Sequence, residues 1–219
     1  MAWRCSGGSN RDLIENLWRN SLITHPQVKE AFLKSASNPP NLRSTARTTP
    51  LLPLRRLPQP IGHSATISAP HMHASAVEHL LPFLTPSSHP VRRILDIGSG
   101  SGYLTHVMAE LAGPEGEVVG VEHIRGKGWK EGTEGDEGVE GLEEEKKWDA
   151  IHVGAAAVKM HEELLEQLKA PGRMFIPVDD DGEGWSQHIW CVDKDGEGKV
   201  SRRKLFGVRY VPLTDAPRK

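Results

Sequence analysis

Ile94-Leu95-Asp96-Ile97-Gly98-Ser99-Gly100-Ser101-Gly102 decides how this chain is read. The apolar run from Val91 to Ile97 predicts a buried strand, and the alternating glycines predict a tight turn after it. Glycine carries no Cβ, so backbone there can approach a ligand closely. Tyr103 to Ala112 then has helical spacing, with Gly113 as its stop. Glu117 to Val121 reads as a second buried strand, and Glu122 follows it directly. A carboxylate at that strand end is placed to accept hydrogen bonds from ribose hydroxyls.

Outward from this unit the same alternation continues. Trp148 to Val153 predicts a third strand, followed by Gly154 and Ala155 to Ala157. His161 to Lys169 predicts a helix closed by Pro171-Gly172, and Met174 to Val178 a fourth strand. Gln187 to Val192 and Val200 to Val211 read as an antiparallel pair with Asp195-Gly196 in their connection. On the N-terminal side, Asp12 to Asn20 and Pro26 to Lys34 predict short amphipathic helices, the first capped by Ser9 or Asn10. Ser68-Ala69-Pro70 opens a longer helix to about Leu84, with Met72, Val77, Leu80, Leu81 and Leu84 facing a core. The expected fold is an α/β sheet with an antiparallel C-terminal hairpin, in a single domain over 1–219. Two stretches lack any period: 35–60, rich in Pro, Ser, Thr and Arg, and 125–147, almost entirely Gly, Glu, Lys and Asp.

The glycine turn admits more than one ligand. A nicotinamide or flavin fingerprint requires G-x-G-x-x-G, and counted from Gly98 its third glycine falls on Tyr103. The spacing here is D-x-G-x-G-x-G, with Asp96 two residues before the first glycine. A carboxylate there repels a pyrophosphate and suits a ligand bearing a cationic amino group and a sulfonium. A turn that binds nothing is the remaining alternative.

Composition excludes little but narrows the rest. A net charge of −2 gives no support to broad nucleic-acid or anionic-membrane binding. The opening Met-Ala-Trp-Arg-Cys-Ser-Gly-Gly has no apolar core of a secretory signal, and no apolar run approaches the roughly 20 residues that span a bilayer. Cys5 and Cys191 have no metal-ligand or C-x-x-C spacing, so a reduced, cytoplasmic protein is expected. His71 and His73, two apart on a helix, point to different faces and do not share a metal. Asp179 to Gly184 fails as a calcium loop because Trp190 falls where the bidentate Glu belongs. Arg202-Arg203-Lys204 reads as an exposed strand face, and Glu140 to Lys147 as solvated chain.

Four segments carry a family resemblance: Ala65-Thr66-Ile67-Ser68-Ala69-Pro70-His71-Met72-His73-Ala74, Asp96 to Gly102, Asp149-Ala150-Ile151-His152-Val153-Gly154-Ala155-Ala156, and Tyr210-Val211-Pro212-Leu213-Thr214-Asp215. Together with Met1-Ala2-Trp3 and Leu13 to Leu17, they resemble the protein-L-isoaspartate O-methyltransferases of the eukaryotic type. The resemblance implies a class I S-adenosyl-L-methionine-dependent, Rossmann-like fold. It implies methyl transfer from that cofactor to the free carboxylate of isoaspartyl residues in damaged proteins, by a monomer. It also implies that Ser68 is the active-site serine. The backbone of Ala65, Thr66, Ile67 and Ser68, with His73 and Ser101, would contact the cofactor beside Asp96, Gly98, Ser99, Gly100 and Gly102. Glu122 would take the ribose, and Thr214 would lie near the cofactor. From spacing alone, Ser68 reads first as an ordinary helix N-cap, and the resemblance reverses that preference.

The chain departs from the family twice. Between Glu122 and Trp148 the family has a helix and a strand ending in an Asp-Gly pair that holds the adenine; no apolar strand exists here, and Asp136 is not assigned its place. The strand at Val118 to Val121 should therefore become the sheet edge, with lower stability and weaker cofactor binding expected. Within Ser35 to Pro58 the family's Asp-Arg-x-x-Tyr and Pro-Tyr-x-Asp segments are missing. Two functions follow: an active isoaspartyl methyltransferase, or a degenerate relative (or splice or gene-model product) keeping the fold without turnover.

Overall fold

The computed structural model describes residues 7–37, 59–62, 65–86, 92–122, 146–180 and 186–212. The expectations for Cys5, for Asp136 and most of 125–147, and for Thr214 lie outside them, as do 38–58 and 181–185.

The centre is a six-stranded sheet in the order β4-β3-β5-β6-β7-β8. Strands β3 (Arg93–Ile97), β4 (Glu117–Val121), β5 (Trp148–Val153) and β6 (Leu168–Asp179) pair in parallel. Strands β7 (Gln187–Lys194) and β8 (Val200–Val208) add an antiparallel hairpin. Every residue of β5 is buried, as a central parallel strand covered on both faces requires. Strand β4 ends the sheet among the described residues, and Val121 is 40% exposed there.

Helices α1 (Asn10–Arg19), α2 (Pro26–Ser37), α3 (Pro70–Leu84) and α4 (Tyr103–Ala112) contribute most of the larger apolar cluster. Ser9 caps α1, its hydroxyl accepting from the Asp12 N–H at 3.1 Å. The link between α1 and α2 is tied to α3 by Glu78, whose carboxylate accepts from the N–H groups of Thr24 (2.8 Å) and His25 (3.0 Å) and from the Thr24 hydroxyl (2.7 Å). The five apolar residues expected to face the core on α3 are all buried.

Three elements differ from expectation. Helix α5 is only Glu162–Gln167, and Leu168 already has extended backbone (φ −77°, ψ 129°) as the first residue of β6. Pro171 explains this, since it pushes the preceding residue out of helical conformation and removes an N–H. A short strand β1 (Gln59–Gly62) begins inside the stretch read as irregular and pairs antiparallel with β2 (Ala65–Ile67). Strand β8 stops at Val208, and residues 209–212 run on as a separate segment.

A buried ion pair locks the lower end of the parallel strands. Arg92 Nη1 donates to Asp149 Oδ1 at 2.8 Å, and both side chains are under 10% exposed. Arg92 Nε donates to the Thr85 carbonyl, and the Arg93 N–H donates to Asp149 Oδ2. Asp149 thus holds the chain together at the opposite strand end from the glycine turn.

Candidate functional site

Strands β3 and β5 run side by side with Asp96 opposite His152 and Ile97 opposite Val153. Both strands then turn on glycine at the same level. The Gly154 N–H donates to the Ile97 carbonyl at 2.7 Å, and a Cβ on Gly154 would sit 3.1 Å from the Gly98 oxygen. Bare glycine lets the two turns approach this closely. The first turn also folds over the end of β4: the Gly98 and Ser99 N–H groups both donate to the Val121 carbonyl, at 2.8 and 3.1 Å. Gly98, Gly100 and Gly102 have φ of +78°, +54° and +76°, a region costly for any residue with a side chain. Gly102 ends the turn as the N-cap of α4.

A hollow forms above these turns. Ile67, Ser68 and His73 line it from β2, the link that follows and α3, and Asp96, Gly98, Ser99, Gly100 and Ser101 from β3 and the glycine turn. Leu104, His152 and Gly154 complete the lining, three residues that the sequence analysis does not assign to the site. Glu122 stands beside it, with Oε2 accepting the Gly100 N–H at 2.8 Å. Ala65 and Thr66 are placed by their backbone in β2.

Asp96 is 1% exposed, and both of its oxygens are engaged by the protein. The Thr105 hydroxyl donates to Oδ2 at 2.6 Å, and His152 Nδ1 lies 2.7 Å from Oδ1. The His152 ring stacks on Phe175, centroids 6.2 Å apart. His73 packs against Tyr103, centroids 5.8 Å apart, and burial with the nearby His152 pushes its pKa down to about 4. Its imidazole is therefore neutral at pH 7.

The alternative reading of Ser68 as helix cap is not borne out. Ala69 takes the N-cap position of α3, and no side chain caps that helix end. The Ser68 side chain instead hydrogen-bonds Tyr210, whose phenol burial pushes up to about 12. Tyr210 is brought there by residues 209–212: its N–H donates to Gln187 Oε1 at 2.6 Å, and the Val211 carbonyl accepts from Ala156.

A signal for His152 was present in the sequence. Asp96 stands two residues before Gly98, and His152 stands two residues before Gly154. Two parallel strands ending in the same pattern bring those side chains together. No group of three His, Cys, Asp or Glu arranged for a metal occurs among the described residues.

The family profile described as Protein-L-isoaspartate(D-aspartate) O-methyltransferase (PCMT) matches residues 8–218. This chain belongs to the PCMT family. A protein-L-isoaspartate O-methyltransferase of Triticum aestivum is 44% identical over 175 residues, covering 72% of this chain and 73% of the relative. One of Caenorhabditis elegans is 38% identical over 233 residues, covering 98% and 96%. A Plasmodium falciparum PCMT crystal structure in complex with S-adenosyl-L-homocysteine superposes with a TM-score of 0.73 at 28% identity, covering 95% of this chain and 99% of that one. The PCMT assignment makes the class I methyltransferase architecture of the sheet secure.

Proposed function

We propose that this chain methylates the free carboxylate of isoaspartyl residues in damaged proteins, using S-adenosyl-L-methionine. The observation that carries this is the meeting of Ser68 with the D-x-G-x-G-x-G turn around one hollow, in a chain of the PCMT family. The reading as a non-catalytic relative is favoured by no observation among the described residues.

The hollow suits a cationic nucleoside on three counts. Asp96 supplies a buried carboxylate at its wall. The left-handed glycines present backbone with no Cβ in the way. Glu122, beside the turn, offers carboxylate lone pairs to ribose hydroxyls. Asp96 and the Gly98–Gly102 turn would hold the amino acid portion and Glu122 the ribose. The Ala65–Ser68 backbone, His73, Ser101 and Thr214 would complete the contacts.

The cofactor, when bound, supplies a methyl group made electrophilic by sulfonium. The acceptor carboxylate is already an anion at neutral pH, so no general base is needed. The protein's task is positioning in a site with little water. Ser68 would orient the acceptor by donating its hydroxyl. Neutral His73 adds no positive charge to repel the cofactor. The same reading has the chain act as a monomer in the cytoplasm, a reducing compartment consistent with the buried free thiol of Cys191. Gel filtration with light scattering tests the first point and cell fractionation the second.

The test is radiolabelled methyl transfer to an isoaspartyl peptide, with the aspartyl peptide as control. Ser68→Ala should lower kcat/KM by about tenfold or more, the worth of one hydrogen bond to a charged group. Binding of S-adenosyl-L-homocysteine should remain, and Tm should fall by no more than a few degrees, the loss of the one bond to Tyr210. Equal activity of wild type on both peptides, or none on either, would exclude the proposal.

A further inference from the structure

Asp96 has its partners on two separate elements. Thr105, in the first turn of α4, donates to one oxygen, and His152, near the end of β5, meets the other. His152 is 5% exposed and lines the same hollow as Asp96, while Phe175 on β6 packs against its ring. The contact is built into the sheet, since Asp96 and His152 are register partners on adjacent parallel strands.

The chemistry of this contact fixes a proton. An ionised carboxylate has only acceptors, so the 2.7 Å contact requires Nδ1–H to be the donor. Each carboxylate oxygen keeps further lone-pair capacity after accepting one bond. The Thr105 and His152 bonds therefore set which lone pairs of Asp96 face the hollow.

We propose that His152 is a positioning residue that holds Asp96, as the δ-protonated tautomer, in the orientation that receives the cationic part of the cofactor. This rests on the cofactor reading above and deepens it. His152 acts through Asp96, and the hydrogen bond from Nδ1 carries its effect. Stacking on Phe175 keeps the ring from turning away, and Thr105 prevents the carboxylate from rotating about its own axis.

Two measurements test this without turnover. In ligand-free wild type, long-range 15N–1H spectra should show His152 protonated at Nδ1 over the neutral range; a proton on Nε2 alone overturns the proposal. By calorimetry, His152→Leu should weaken S-adenosyl-L-homocysteine binding by about tenfold or more. His152→Asn, which keeps a donor near the Nδ1 position, should stay within about threefold of wild type. Thr105→Val leaves His152 in place and should also weaken binding, which keeps the idea testable should His152→Leu fail to fold. A purely structural role would lower Tm in both His152 variants with no recovery of affinity in His152→Asn. That result, or unchanged affinity in His152→Leu, overturns the inference while leaving the cofactor reading intact. Wild type that binds no S-adenosyl-L-homocysteine overturns the cofactor reading itself, and the inference with it.

Discussion

Single side chains at this site are defined by what they lack as much as by what they touch. His73 has lost its water, and burial holds its pKa at about 4 against 6.5 when unfolded. Between these values the unfolded chain takes up a proton that the folded chain refuses. Stability is therefore full above about pH 6.5 and falls as the pH drops toward 4, by about 3 kcal/mol from this residue. Urea unfolding at stepped pH should show that loss in wild type and a shallower one in His73→Gln; parallel curves would remove His73 as the cause. Residue roles were only partly legible in the sequence. Asp96 was found from its spacing to Gly98, but the Thr105 and His152 bonds that use both its oxygens were not. Those bonds join residues 9 and 56 positions apart, and a pattern read locally does not show which strands will be neighbours.

At the scale of elements, the strands and helices around the glycine turn follow directly from apolar periodicity. The errors fall where a local breaker competes with a pattern. Leu168-Lys169-Ala170 continues the helical spacing of Glu162–Gln167, yet Pro171 turns it into the start of β6. Strand β1 was hidden because Gln59-Pro60-Ile61-Gly62 is too short to show alternation, and it pairs only through β2. Asp149 illustrates the opposite case, a residue inside a recognised motif whose work is structural. Asp149→Ala leaves Arg92 charged and buried without its carboxylate, and should cost about 3–5 kcal/mol. Replacing both by apolar residues of similar size (Arg92→Met with Asp149→Leu) should recover much of that loss. Chemical denaturation of wild type and the two variants decides it, and a loss below about 1 kcal/mol in Asp149→Ala would show the pair to be dispensable.

For the whole molecule, stability is graded from the middle of the sheet outward. Strand β5 is buried throughout, while β8 is mostly exposed and β4 only half-buried. Amide hydrogen exchange should be slowest at Ala150–Val153 and fastest among the strands at β4 and β8. Uniform protection across all six would contradict this gradient. The hollow sits at the C-terminal ends of the central strands, so a ligand there should stabilise the chain as a unit. S-adenosyl-L-homocysteine at a hundred times its Kd should add about 2.7 kcal/mol and raise Tm by several degrees. A smaller thermal shift at that saturation would mean that the hollow unfolds separately from the sheet.

The facing of Gly98 and Gly154 also sets where this chain can change length. A one-residue deletion within 150–154 would bring Ile151 or Val153 opposite Asp96 and send the imidazole to the other face of the sheet. The β7–β8 turn is different: a Cβ at Gly196 or Gly198 meets nothing within 4 Å. Tags, cross-links or grafted loops belong in that turn, and segments that alter the spacing of the paired glycines do not.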